Sequence, residues 1–162
     1  MKLRNLFLLT ASLAVAGLAH AEKIHQQLEG EAAFSGDGKN AVEVKKVETK
    51  EVGGDTVARV TGGMSQWGYV NYWLGIPTPA GSAIIRLRIL PSEEPTARYA
   101  LYVGKKGPIA IPMPDDAKAG EFVDVDVPIE MEDEWNAIVL KKTTKDDLPG
   151  PWIDSIKVLL AD

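Results

Sequence analysis

Three bulky aromatic residues, Trp67, Tyr69 and Trp73, fall at even spacing in the run Trp-Gly-Tyr-Val-Asn-Tyr-Trp-Leu-Gly-Ile from Trp67 to Ile76. Such rings can stack on the C–H face of a sugar, and Arg86 and Arg88, two apart a little downstream, could pair with a uronate carboxylate or stack on the rings themselves. Nucleophilic chemistry is poorly supplied. The chain has no cysteine and two histidines, His20 and His25, so neither a Ser-His-Asp, a Cys-His nor a zinc constellation can be assembled around a buried base. Carboxylate pairs for glycoside hydrolysis exist on paper, with Asp124 and Asp126 or Glu132, Asp133 and Glu134 as candidates, but acid runs on turns are usually solvated. The sequence therefore reads as a binder and not as an enzyme.

The element that presents the rings is a strand. Alternation puts Val70, Tyr72, Leu74 and Ile76 on one face and Trp67, Tyr69, Asn71 and Trp73 on the other. In a two-layer sandwich only one face is core, and the Val/Tyr/Leu/Ile set fits it. The other set must then be covered or used, unless the sheet is packed on both faces.

Residues 1–21 read as a cleaved leader. Lys2 and Arg4 precede an apolar run from Leu6 to Ala19 that closes on Ala19-His20-Ala21, a small-x-small site with cleavage after Ala21. The run is too short and too rich in alanine to span a membrane, so membrane insertion is not expected. Residues 22–162 then form a single domain. Export without a disulfide fits a bacterial periplasm or exterior. The chain holds 18 basic and 23 acidic residues for a net charge of −5, and losing Lys2 and Arg4 with the leader deepens it to −7. A field of that sign opposes phosphate contacts, so nucleic acid is not an expected partner.

Short alternating runs separated by Gly, Pro and Asp clusters continue to the C-terminus, the pattern of an all-β sandwich. Strands are expected over Ile24–Phe34, Ala41–Val47, Thr56–Thr61, Trp67–Ile76, Ser82–Leu90, Arg98–Val103, Pro108–Pro112, Phe122–Ile129, Asn136–Lys142 and Ile153–Leu160. In the fifth, Ala83, Ile85, Leu87 and Ile89 point inward and Arg86 and Arg88 outward. In the eighth, Val123, Val125, Val127 and Ile129 point inward, which sends Asp124, Asp126 and Phe122 out.

The order of short motifs resembles the carbohydrate-binding modules of families 6 and 35, jelly-roll β-sandwiches of the galactose-binding-domain-like type. Leu28-Glu29-Gly30-Glu31 is similar to the family's I-E-A-E opening. Tyr69-Val70-Asn71-Tyr72-Trp73-Leu74-Gly75-Ile76-Pro77, followed by Ala80-Gly81, is similar to D-W-V-x-Y-x-V-x-V-P-x-A-G with Tyr69 in place of the tryptophan. Pro151-Trp152-Ile153-Asp154-Ser155-Ile156 is similar to the closing N-I-D-x-I strand.

The resemblance implies two antiparallel sheets and a structural calcium held by Glu29, Glu31 and Asp154. Pairing of first and last strands would gather these carboxylates, which repel unless a hard cation neutralises them. It also implies a loop-end cleft with rings at Tyr69 and Phe122. There Trp152 replaces the family's asparagine, either as a stacking surface or as a plug. The sheet face carrying Trp67, Tyr69 and Trp73, with Arg86 and Arg88 near it, is the second location. Trp135 reads as a core or loop plug. The implied partner is a polysaccharide or oligosaccharide, with a separate secreted enzyme or envelope protein beside it. The alternative is an envelope or extracellular interaction module that buries the same aromatic face against another protein.

Overall fold

The computed structural model describes residues 23–30, 34–37, 42–43, 47–60, 68–73, 77–132 and 137–160, and for residues 34–37, 42–43 and Trp73 the backbone alone. The leader at 1–21, Glu31, Trp67, Asp133, Glu134 and Trp135 lie outside the described residues. Twelve strands are described: β1 (Lys23–Glu29), β2 (Phe34–Asp37), β3 (Val42–Glu43), β4 (Val47–Val52), β5 (Asp55–Val60), β6 (Tyr69–Trp73), β7 (Gly81–Leu90), β8 (Tyr99–Val103), β9 (Lys106–Ala110), β10 (Val123–Met131), β11 (Ala137–Lys142) and β12 (Trp152–Leu160).

They form two six-stranded antiparallel sheets. In the first, the order is β10-β7-β12-β5-β4 with β1 also on β12, and in the second it is β3-β2-β6-β11-β8-β9. The all-β sandwich expected from the sequence is the fold observed. Its core lies where the alternation places it. Ile85, Leu87 and Ile89 of β7, Val125, Val127 and Ile129 of β10 and Ile156 and Val158 of β12 meet Val70, Tyr72, Leu101, Ile138 and Leu140 of the other layer. Each of these buried aliphatic chains contributes about 1.5–3 kcal/mol against chain entropy.

The strand expected over Ile24–Phe34 is two strands, β1 ending at Glu29 in the first sheet and β2 beginning at Phe34 in the second. Two further regions differ from the sequence expectation for physical reasons. The first is the segment Val47–Val52, a strand of its own that closes a hairpin with β5. Only its two terminal valines are apolar, because an edge strand facing water need not alternate. The hairpin turns on Gly53 and Gly54, both at positive φ (64° and 99°), which a two-residue turn between twisted strands demands.

The second is the outer edge of β12, which two strands share. Ile153 pairs with Ala58 of β5, whereas Ser155 onward pairs with β1, beginning at Glu29. The handover falls at Asp154, where the register with β7 slips by one residue to form a bulge. The chain leaves β1 at Gly30, where a Cβ would stand 2.1 Å from the Ile153 carbonyl oxygen, so only glycine lets the strands close at this point.

Candidate functional site

The first sheet's outer face is built by cross-strand register. Arg86 of β7 faces Asp126 of β10, and its Nε and Nη2 donate to the two carboxylate oxygens at 2.6 and 2.7 Å. These hydrogen bonds hold the Asp126 carboxyl below the usual carboxylate range, with the guanidinium charge adding to them against partial desolvation. Asp126 is thereby kept ionised and cannot serve as a proton donor.

Arg88, one pleat along, places Nη2 3.3 Å from Asp55 and Nη1 3.6 Å from Asp154. Its guanidinium also lies 4.3 Å from the centre of the Phe122 ring. Ser82 donates to Glu130 at 2.6 Å near the far end.

Toward the β4–β5 hairpin this face becomes a small second core of Val57, Leu90 and Trp152, with Val52 and Phe122 packed on it. Trp152 is only 6% exposed. Lys50 Nζ and the Arg59 guanidinium each lie 4.3 Å from its ring centre. Arg59 is fixed by Nε donating to Glu48 and by Glu94 at 3.6 Å. That Glu94 contact is made by Nη1, which is buried and makes no hydrogen bond, so its charge is paired while its N–H groups are left without an acceptor at hydrogen-bond distance.

Above this floor opens a groove of about 420 Å³. Lys50, Arg59, Trp152, Ser92, Glu93 and Glu94 are among the residues that line it. That volume suits a small sugar segment. The lining combines donors (Lys50, Arg59) with acceptors (Glu93, Glu94), the mixture that hydroxyls require because each can donate and accept. By contrast, the gap between the sheets beside Tyr72, Tyr99 and Gly150 amounts to about 10 Å³, too small for any sugar ring. Burial, with help from Asp146, pushes the Tyr99 hydroxyl there up to about 12.

The outer face of the second sheet carries Tyr69 and Asn71 of β6, Val139 and Lys141 of β11 and Tyr102 of β8 in adjacent register. Tyr69 is half-buried, and Lys141 Nζ lies 4.3 Å from the Tyr102 ring centre. Asn71 Oδ1 is buried and has no hydrogen-bond partner. At the end of β6 the backbone of Trp73 pairs with Ala137 of β11.

Several sequence-derived positions therefore move apart. Arg86 and Arg88 point outward as expected, yet from the opposite layer to Tyr69 and Trp73, so they cannot join that aromatic row. Phe122 is outward but partly buried, beneath Arg88. Trp152 is a plug whose ring is occupied by its own cations, and it offers no free stacking face. The sequence reading missed Lys50, Arg59, Glu93 and Glu94. Lys50 and Arg59 project outward from a hairpin whose first strand has no apolar alternation, and the glutamates sit in a loop, so only their charges could have marked them.

Of the three residues expected to hold calcium, Glu29 and Asp154 are described and fit it poorly, and Glu31 lies outside the described residues. Glu29 is exposed, and its Oε1 accepts from Gln27 Nε2 at 2.8 Å. Asp154 is buried, and its Oδ2 accepts from Ser155 Oγ at 2.9 Å and faces Arg88. Both carboxylates are already engaged by protein donors. Among the described residues no three acidic or histidine side chains gather as a ligand set.

The sequence matches no protein-family model and no curated protein. Solved structures do match. A family 35 carbohydrate-binding module from Clostridium thermocellum superposes with a TM-score of 0.62 at 13% identity, covering 84% of this chain and 99% of the module. The C-terminal family 6 module of LamC, a marine laminarinase from Zobellia galactanivorans, gives a TM-score of 0.57 at 15% identity over 83% of this chain and 98% of the module. An exo-β-1,3-galactanase from Phanerochaete chrysosporium matches over 82% of this chain but only 29% of its own length, with a TM-score of 0.56 at 16% identity. The two-sheet jelly roll of this chain is the fold of the family 6 and family 35 carbohydrate-binding modules.

Proposed function

We propose that this chain is an exported, noncatalytic carbohydrate-binding protein whose ligand lies in the groove beside Trp152. The observation that carries the reading is the groove's paired chemistry: a buried Arg59 Nη1 that makes no hydrogen bond, with the Glu94 carboxylate 3.6 Å away, in a concavity of about 420 Å³ that Lys50 and Glu93 also line. A sugar hydroxyl supplies the missing acceptor and gives its own proton to Glu93 or Glu94. Recognition here is mainly polar, because Lys50 and Arg59 occupy the ring of Trp152.

The noncatalytic part is supported by the fate of the candidate groups. Asp126 is locked ionised by Arg86. His25 Nε2 lies 3.2 Å from the Pro77 carbonyl oxygen, so as donor it ties β1 to a turn and is spent on structure. The matched family 6 and family 35 modules are named as carbohydrate-binding, and this chain matches only 29% of the length of the exo-β-1,3-galactanase. A separate secreted enzyme or envelope protein fits as the working partner.

The test is a glycan array with residues 22–162, followed by affinity measurement on the retained glycan. Arg59→Lys and Glu94→Gln should each weaken binding by about tenfold or more, since losing a hydrogen bond to a charged group costs about 1.5–3 kcal/mol. Retention of no glycan at all, or variants that bind like the parent, would refute the groove reading.

A second location is favoured by one observation. Asn71 Oδ1, a buried acceptor without a partner, shares its face with Tyr69 and Tyr102. A chain stacked there would depend on Tyr69, whereas a protein partner on the same face would compete with no glycan.

A further inference from the structure

We infer that Arg88 is the resident cation of the junction between the first and last strands, so that a guanidinium neutralises Asp154, one of the acids for which the resemblance implies calcium. Asp154 sits at the bulge where β12 exchanges β5 for β1 as its edge partner, and its side chain is 9% exposed. A carboxylate withdrawn that far from water needs an opposite charge and hydrogen-bond donors. Both come from the protein: the Ser155 hydroxyl at 2.9 Å, and Arg88 Nη1 at 3.6 Å.

The same guanidinium reaches across to Asp55, at 3.3 Å from Nη2, and rests 4.3 Å from the Phe122 ring centre. One planar, always-charged group therefore links β7, the start of β5 and the β12 bulge while covering a ring. A planar fork suits that role, whereas a lysine ammonium is a single point charge. Calcium would need about six to eight oxygens at roughly 2.3–2.6 Å. Here Asp154 Oδ2 is committed, Glu29 is turned to Gln27, and a divalent ion would stand beside a fixed positive charge.

The experiment uses the metal-stripped mature chain. Thermal unfolding is followed in chelator and in millimolar calcium for the parent, Arg88→Met, Asp154→Asn and the double variant. The parent Tm should be the same in both buffers. Arg88→Met should lower Tm by about 5–10 °C by leaving Asp154 buried and unpaired. Adding Asp154→Asn to it should recover part of that loss, which shows direct coupling. A parent Tm that climbs with calcium concentration would overturn the assignment, since a ligand bound to the native state must raise it. Equal and additive losses in the two single variants would overturn it as well. Should Arg88→Met not fold, the parent's calcium response and Arg88→Lys, expected to lose part of the stability, decide the matter.

Discussion

The outer face of the β10-β7-β12-β5-β4 sheet and that of the β3-β2-β6-β11-β8-β9 sheet use different chemistry around the same core. On the first, Arg86 meets Asp126, Arg88 meets Asp55 and Asp154, and Arg59 meets Glu48 and Glu94, so charges are matched across strands and the one large ring, Trp152, is sealed. On the second, Tyr69 and Tyr102 stay half-buried, with Lys141 over one of them. The first face therefore keeps its polar groups fixed and ends in a groove, while the second keeps rings without such a lattice. Pre-organised donors and acceptors favour specific recognition, and open rings favour tolerant stacking.

Trp152→Ala is the strongest way to break this contrast. Although Trp152 lies on an outer face, its burial predicts a core-like loss of about 3–5 kcal/mol in chemical denaturation. A loss below about 1 kcal/mol would show that the ring is a surface residue and that the small second core has no weight.

Lys141→Ala, on the opposite face, should cost about 0.5–1 kcal/mol, the scale of an exposed cation–π contact. Arg86→Ala should cost about 1 kcal/mol, because the pair is only partly withdrawn from water, with the Asp126 side chain 42% exposed. Its effect should depend on pH. Asp126 is held below its unfolded value, so the contribution is present above that value, near 4, and disappears as pH falls through the lower folded one. Urea midpoints of parent and variant should thus converge in acid, and a gap that widens there would contradict the pairing. Smallest of all, Tyr69→Ala should change stability by about 0.5 kcal/mol or less while removing a ring from the second face.

The inward and outward sets were legible in the sequence because alternation is local: Ile85 and Leu87 against Arg86 and Arg88, or Val125 and Val127 against Asp124 and Asp126, follow from a period of two. Parity cannot say which layer a strand joins. Tyr69 and Arg86 both read as outward, and only long-range pairing sends them to opposite sides. The bulge at Asp154 and the shared edge of β12 were hidden for the same reason.

Lys142 shows another limit. It falls on the inward phase of β11 and is fully buried, its amine donating to the Asp146 carbonyl oxygen and lying 3.2 Å from the Asp146 carboxylate. Nothing in its own strand announces an interior charge; the partner lies four residues on, in the loop. The groove was illegible for a similar reason, since Lys50, Arg59 and the Ser92-Glu93-Glu94 loop converge only after the hairpin folds onto Trp152.

The most direct measurement is a ¹⁵N-correlated NMR titration of residues 22–162 with a glycan retained on the array, following the Trp152 indole N–H and the Arg59 Nε–H. The groove reading predicts that these two signals move with saturating dependence on glycan, while amides of Tyr69, Lys141 and Tyr102 stay in place. Shifts confined to Tyr69, Lys141 and Tyr102, with Trp152 and Arg59 unmoved, would contradict it and transfer the site to the other face.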